Sequence, residues 1–251
     1  MCGITGFISK QPQEVSRLVS SLSAIQHRGP DAVGIMVMDG DGVQRVISRH
    51  KTIGAEIDQK SKVYLGIGHT RFSIIDTNRR SDQPFVYKDK YLTFNGEIFN
   101  YIELREELSE FYSFETDSDT EVVLKAYDFW GQECFEKFNG FWAIAIVDLS
   151  KNVVILSRDR FGEKPLYVFE VEGSIYWASE IKALSSLVDS SFNVSDSSTL
   201  LYLGYDRRNT FTQSMYDSVE QIDSGSFKIF DIASCSPISS AAYYNLPSPN
   251  D

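Results

Sequence analysis

Phe141-Trp142-Ala143-Ile144-Ala145-Ile146-Val147-Asp148 and, after Leu149-Ser150-Lys151-Asn152, Val153-Val154-Ile155-Leu156-Ser157 are the stretches on which the fold turns. Each is an apolar run of strand length, and the polar break between them has turn chemistry, so together they predict a buried antiparallel pair. Working outward, residues 166–170 and 174–178 read as a second pair. Residues 34–38 and 43–48 flank Asp39-Gly40-Asp41-Gly42, a hairpin signal because glycine accepts the positive φ that tight turns require. Shorter runs at 3–8, 63–67, 91–94 and 227–231 read as further strands. Val15, Leu18, Val19, Leu22 and Ile25 keep helical spacing, which predicts an amphipathic helix over 14–26. Further helices are expected over 101–108 and 121–130. Hairpin-joined strands with helices inserted in blocks imply an α+β fold of stacked antiparallel sheets covered by helices. From about Ser185 the composition shifts toward Ser, Asp and Thr, and residues 245–251 read as a linker.

The 251 residues suffice for one large domain or two small ones. With 24 Lys+Arg against 35 Asp+Glu, the net charge of -11 repels phosphate and argues against nucleic-acid or anionic-membrane partners. No run approaches the roughly 18 apolar residues needed to span a bilayer. Cys2, Cys134 and Cys235 are widely spaced and odd in number, which fits a reducing cytoplasm better than a disulfide framework. The first ten residues lack the basic flank and apolar core of a signal peptide.

His27, His50 and His69 share no metal-ligand spacing with the cysteines, so a metal site is not expected. Gly66-Ile67-Gly68 starts like a dinucleotide fingerprint but lacks its third glycine, and there is no phosphate loop of the GxxxxGK type. Position 2 is different. If Met1 is removed, Cys2 carries a free α-amine beside its own thiol. The amine titrates near 7.7–8.0 and the thiol near 8.5, so about neutral pH one residue can supply both base and nucleophile. The plain alternative is that Cys2 is a small buried hydrophobe.

Cys2-Gly3-Ile4-Thr5-Gly6-Phe7 resembles the start of class II glutamine amidotransferases, which belong to the N-terminal-nucleophile hydrolases. Matching blocks follow in order: His27-Arg28-Gly29-Pro30-Asp31, Gly68-His69-Thr70-Arg71-Phe72-Ser73-Ile74-Ile75-Asp76, Phe94-Asn95-Gly96-Glu97-Ile98-Phe99-Asn100 and Ser118-Asp119-Thr120-Glu121. Asn139-Gly140-Phe141-Trp142-Ala143, Arg158-Asp159-Arg160-Phe161-Gly162-Glu163-Lys164-Pro165-Leu166-Tyr167 and Ala178-Ser179-Glu180-Ile181-Lys182-Ala183-Leu184 complete the series. The set resembles the glutaminase half of asparagine synthetases. Glucosamine-phosphate synthases and phosphoribosyl-pyrophosphate amidotransferases share the start but not the Gly162-to-Tyr167 block.

The resemblance implies a four-layer αββα sandwich, with 1–190 as the glutaminase domain and 191–251 as its C-terminal extension and a linker toward an absent or separate synthetase domain. It implies Cys2 as nucleophile, and Asn95 with the backbone N–H of Gly96 as the oxyanion hole. Arg71 would hold the α-carboxylate of L-glutamine, Asp119 and Glu97 its α-ammonium, and the backbone of Ile75 would help to seat it. Residue chemistry leaves two plain alternatives: Asn95-Gly96 as a hairpin turn and Asp119 as a solvated helix cap. His27 is expected to support the loop of Arg28 and Asp31 rather than act as a base. No cofactor is expected in this chain; ATP and Mg would belong to an ATP-dependent synthetase partner that takes the ammonia to aspartate or another carboxylate. A catalytically silent scaffold and a hydrolase of a non-glutamine amide are the competing functions.

Overall fold

The computed structural model describes residues 1–49, 53, 56–73, 75–171, 173–206 and 214–246; His50, Ile74 and residues 247–251 of the expected linker lie outside them. The chain runs through β1 (Gly3–Glu14), α1 (Val15–Ala24), β2 (Ala32–Met38), β3 (Val43–Ser48), β4 (Lys62–Arg71), β5 (Phe85–Tyr87) and β6 (Lys90–Ile98). Then come α2 (Tyr101–Leu108), α3 (Asp119–Trp130), α4 (Cys134–Lys137), β7 (Gly140–Asp148), β8 (Val153–Arg158), β9 (Tyr167–Val171) and β10 (Ser174–Ala178). The last elements are α5 (Ile181–Val188), α6 (Asp196–Tyr205), β11 (Val219–Gln221), β12 (Ser226–Asp231) and β13 (Ser236–Ala242). They build a seven-stranded sheet in the order β11-β9-β10-β1-β4-β2-β3 and a six-stranded sheet in the order β13-β12-β8-β7-β6-β5.

Strand alternation explains why these sheets stack in four layers. On β7, the small residues Ala143 and Ala145 join Val147 in a core shared with Ile4, Ile8, Leu65 and Ile67 of the opposite sheet. The intervening Trp142, Ile144 and Ile146 face the other way, against Leu104, Leu108, Val122 and Tyr127 of α2 and α3. On the seven-stranded sheet, Phe7 turns outward to Leu18 and Leu22 of α1 and Leu184 and Leu187 of α5. The result is a helix–sheet–sheet–helix sandwich. Each fully buried Leu, Ile or Phe contributes about 1.5–3 kcal/mol, and both faces of both central strands are covered.

Several expectations shift. β4 and β6 run past the apolar segments at 63–67 and 91–94, to Arg71 and Ile98. Pairing on both sides keeps Gly68, His69 and Thr70 extended, through partners on β1 and β2. The turn reading of Asn95-Gly96 is overturned: they pair with Ala143 and Trp142 in the β6–β7 ladder. The hairpin turn of that region lies instead at Lys88-Asp89, between the paired Tyr87 and Lys90, with Lys88 at φ 52. Asp119 is not a solvated cap either, because Ser118 caps α3 and Asp119 is buried at its first turn. Beyond residue 190, β11 extends one sheet at its edge while β12 and β13 extend the other. Among the described residues no helix is long and apolar enough to cross a membrane.

Candidate active site

β1 is a central strand, and its register with β4 pairs Gly3 with Thr70. Cys2 is thereby set beside Arg71 and Phe72, where β4 ends. The loop of residues 27–31 fixes this corner. Arg28 Nε donates to the Cys2 carbonyl at 2.9 Å while its Nη1 donates to Glu180 at 2.9 Å. A Cβ on Gly29 would lie 2.4 Å from the Thr70 carbonyl, so only glycine lets the loop lie this close to β4. Asp31 accepts from the Ser73 N–H at 2.7 Å and steadies the turn after β4. His27, half exposed, meets Glu180 on the outer side at 2.9 Å.

The Cys2 sulfur faces both polar groups of one residue: Phe72 N–H donates to it at 3.4 Å, and the thiol points to the Phe72 carbonyl at 3.6 Å. Burial pushes the thiol above its ordinary range, opposed by the Phe72 hydrogen bond and the positive field of Arg71. Cys134 and Cys235 are buried in the two apolar layers instead.

Facing Cys2 is an uncovered edge of β6. β5 pairs with β6 only from Lys90 to Leu92, so no strand lies beyond that register. N–H groups of alternate residues share one edge of a strand. At Phe94 that N–H donates to Gln83 Oε1 at 2.6 Å, and at Ile98 to Asp119 Oδ2 at 3.1 Å. The Gly96 N–H lies between them and is aimed at the same side. A Cβ on Gly96 would fall 2.0 Å from the Phe141 carbonyl, so the close ladder with β7 admits no side chain there. The neighbouring Asn95 is buried, and its Nδ2 has no partner among the described residues. An orphaned buried amide is costly, and here it sits on a cavity wall.

Arg71 and Asp119 give the cavity lining both a positive and a negative side chain. Arg71, 5 % exposed, donates through Nη1 to the Asn78 carbonyl and to Asp82, and through Nη2 to the Asp76 carbonyl. Asp119, 4 % exposed, accepts from Ile98 N–H and from Ser118 Oγ. Burial raises its carboxyl to about 6, with nearby Glu97 acting in the same direction and the hydrogen bonds opposing.

All seven sequence-derived site residues, Cys2, Arg71, Ile75, Asn95, Gly96, Glu97 and Asp119, line one cavity. His27 does not. Gln83, Thr120 and Lys164 also line it without having been singled out. Gln83 had no sequence signal, because it is brought in by the approach to β5. Met1 lines the mouth as well, with Lys164 Nζ 3.7 Å from its sulfur. Among the described residues no three His, Cys, Asp or Glu converge as a metal site.

Residues 56–244 match the family model described as glutamine amidotransferase domain. The chain is 36% identical to asparagine synthetase [glutamine-hydrolyzing] 1 of Bacillus subtilis over 192 residues, 73% of this chain and 26% of that protein. It is 34% identical to asparagine synthetase [glutamine-hydrolyzing] 2 of Arabidopsis thaliana over 191 residues, 74% and 28% of the two chains. It spans 26–44% of the length of the curated relatives it matches. Among solved structures, the glutamine phosphoribosylpyrophosphate amidotransferase from B. subtilis superposes with a TM-score of 0.73 at 20% identity, covering 97% of this chain and 49% of that one. At that identity the likeness speaks for the fold, which is the four-layer sandwich of this class.

Proposed function

The chain belongs to the class II glutamine amidotransferase family, and from that premise we propose that it is a glutaminase working through a Cys2 thioester. The observation that carries the reading is the convergence, in one cavity, of a cysteine at the second position with the Gly96 edge of β6 and an Asn95 amide that is unpartnered among the described residues. Removal of Met1 turns the Cys2 nitrogen from an amide into an amine. That amine takes the thiol proton, and the sulfur attacks the side-chain carbonyl of L-glutamine. The tetrahedral oxyanion is received by Asn95 Nδ2 and Gly96 N–H, donors fixed before the charge develops. The amine returns its proton to the leaving nitrogen, ammonia departs and a γ-glutamyl thioester remains. Water, deprotonated by the same amine, then releases glutamate and restores the thiol.

Arg71 receives the α-carboxylate through its planar fork. Asp119, with Glu97, receives the α-ammonium, and Ile75 borders the bound amino acid. These steps require no cofactor in this chain. The likeness to glutamine-hydrolysing asparagine synthetases supports delivery of ammonia to an ATP- and Mg-dependent synthetase partner that amidates aspartate or another carboxylate. Neither nucleic acid nor membrane is a partner in this reading, and its setting is cytoplasmic.

The test joins intact-mass analysis with a glutamate-release assay. Protein lacking Met1 should hydrolyse glutamine, protein retaining it should be inert, and Cys2→Ala should lose activity in the trimmed form. Undiminished glutamate release by Cys2→Ala would refute the assignment.

A further inference from the structure

Asp82 lies just before β5, outside the cavity lining, and is 2% exposed. Two arginines reach its carboxylate. Arg71 Nη1 donates to Oδ1 at 2.5 Å; Arg49 donates through Nε to Oδ2 at 3.1 Å and through Nη2 to Oδ1 at 3.0 Å. We propose that Asp82, braced by Arg49, is a positioning residue that aims the Arg71 fork at the substrate α-carboxylate. The inference rests on the glutaminase reading above.

The donor count supports it. Of the five N–H donors of Arg71, two on Nη1 go to Asn78 and Asp82 and one on Nη2 goes to Asp76. Nε–H and one Nη2–H are left without a protein partner among the described residues, a pair of donors suited to a carboxylate. Asp82 is the one charged group among the three anchors, and charge-assisted bonds are about twice as strong as neutral ones. Charge explains the second arginine. Arg71 with Asp82 alone would be a neutral pair, poorly able to attract an anion. Arg49 on the Asp82 carboxylate, with Arg45 Nη2 on the Asp82 carbonyl at 3.0 Å, leaves the cluster net positive. The next residue, Gln83, accepts from Phe94 N–H at 2.6 Å, so the segment that sets the fork is also fixed to the β6 edge.

The experiment compares L-glutamine with L-glutaminamide, which keeps the side-chain amide and lacks the α-carboxylate, on the Met1-free protein. In Asp82→Asn the KM for glutamine should rise about tenfold or more while kcat stays within about twofold. The preference for glutamine over glutaminamide in kcat/KM should shrink by the same factor. Arg49→Gln, altered on the outer side of the cluster, should shift the preference in the same direction by less. It carries the test if Asp82→Asn does not fold. Equal losses on both substrates, or an unchanged preference, would overturn the proposal while leaving wild-type glutaminase activity standing. Failure of the wild-type protein to hydrolyse glutamine would instead overturn the functional reading and this inference with it.

Discussion

Asp119 is a carboxylate whose fold position works against its ionisation. Burial raises it from the usual 3.8 to about 6, so it is mostly ionised at pH 7.5 and mostly neutral at pH 5. A neutral acid cannot balance an ammonium, so kcat/KM for glutamine is expected to fall as pH drops through about 6. Asp119→Asn should remove that limb of the profile and leave a low rate whose remaining pH dependence is that of the Cys2 amine. Stability carries the opposite sign. A folded-state pKa above the unfolded value means that ionised Asp119 costs stability at neutral pH, a cost that fades as pH falls from about 6 toward 4. Asp119→Asn should therefore raise Tm at pH 7.5 and change it little at pH 4, as read by thermal melts at both values. Asn95 separates the same two quantities. Asn95→Ala removes the proposed oxyanion donor, which has no partner among the described residues, so kcat should drop about 10²–10³-fold with KM nearly constant. A fall in KM-dependent binding alone would contradict that role.

At the scale of elements, the β6 edge is what the sequence conceals. The residue types at 94–98 are legible as a block, but Asn-Gly reads locally as a turn, and only the long ladder with β7 holds it extended. β13 is a sharper case: Ser236–Ala242 is exposed throughout and has no apolar period, and it exists as a strand because β12 supplies its hydrogen bonds. α6 sits in the Ser-, Asp- and Thr-rich region for which no helix is expected, and its N-terminus is defined by the Ser195 cap rather than by an apolar stripe. The buried pair β7–β8, by contrast, was plain from sequence, because strands covered on both faces need continuous apolar runs. Gly96 makes the element-level argument testable. Its missing Cβ would lie 2.0 Å from the Phe141 carbonyl, so Gly96→Ala must push β6 from β7. We expect a loss of about 1–3 kcal/mol in stability by denaturant titration, and a loss of glutaminase activity larger than that instability explains at 25 °C.

For the whole molecule the net charge of -11 sets the balance. The buried ion pairs, Arg71–Asp82 beside the site and Lys125–Glu121 on α3, are screened little by salt. Exposed pairs such as Arg80–Asp117 contribute little. The long-range repulsion among surplus carboxylates is the term that ionic strength acts on most. Its reach shrinks from about 30 Å at 0.01 M salt to about 8 Å at 0.15 M. Tm should therefore rise when sodium chloride is raised across that range at pH 7.5, and the rise should be smaller at pH 5, where the surplus is partly neutralised. A Tm that falls with salt would mean that surface ion pairs outweigh the net repulsion. The proposed substrate stands apart from this field, because zwitterionic glutamine has no net charge to be steered or repelled. The KM for glutamine should thus vary far less with salt than Tm does, since in the proposed mechanism its charged ends are met locally by Arg71 and Asp119, which line the cavity.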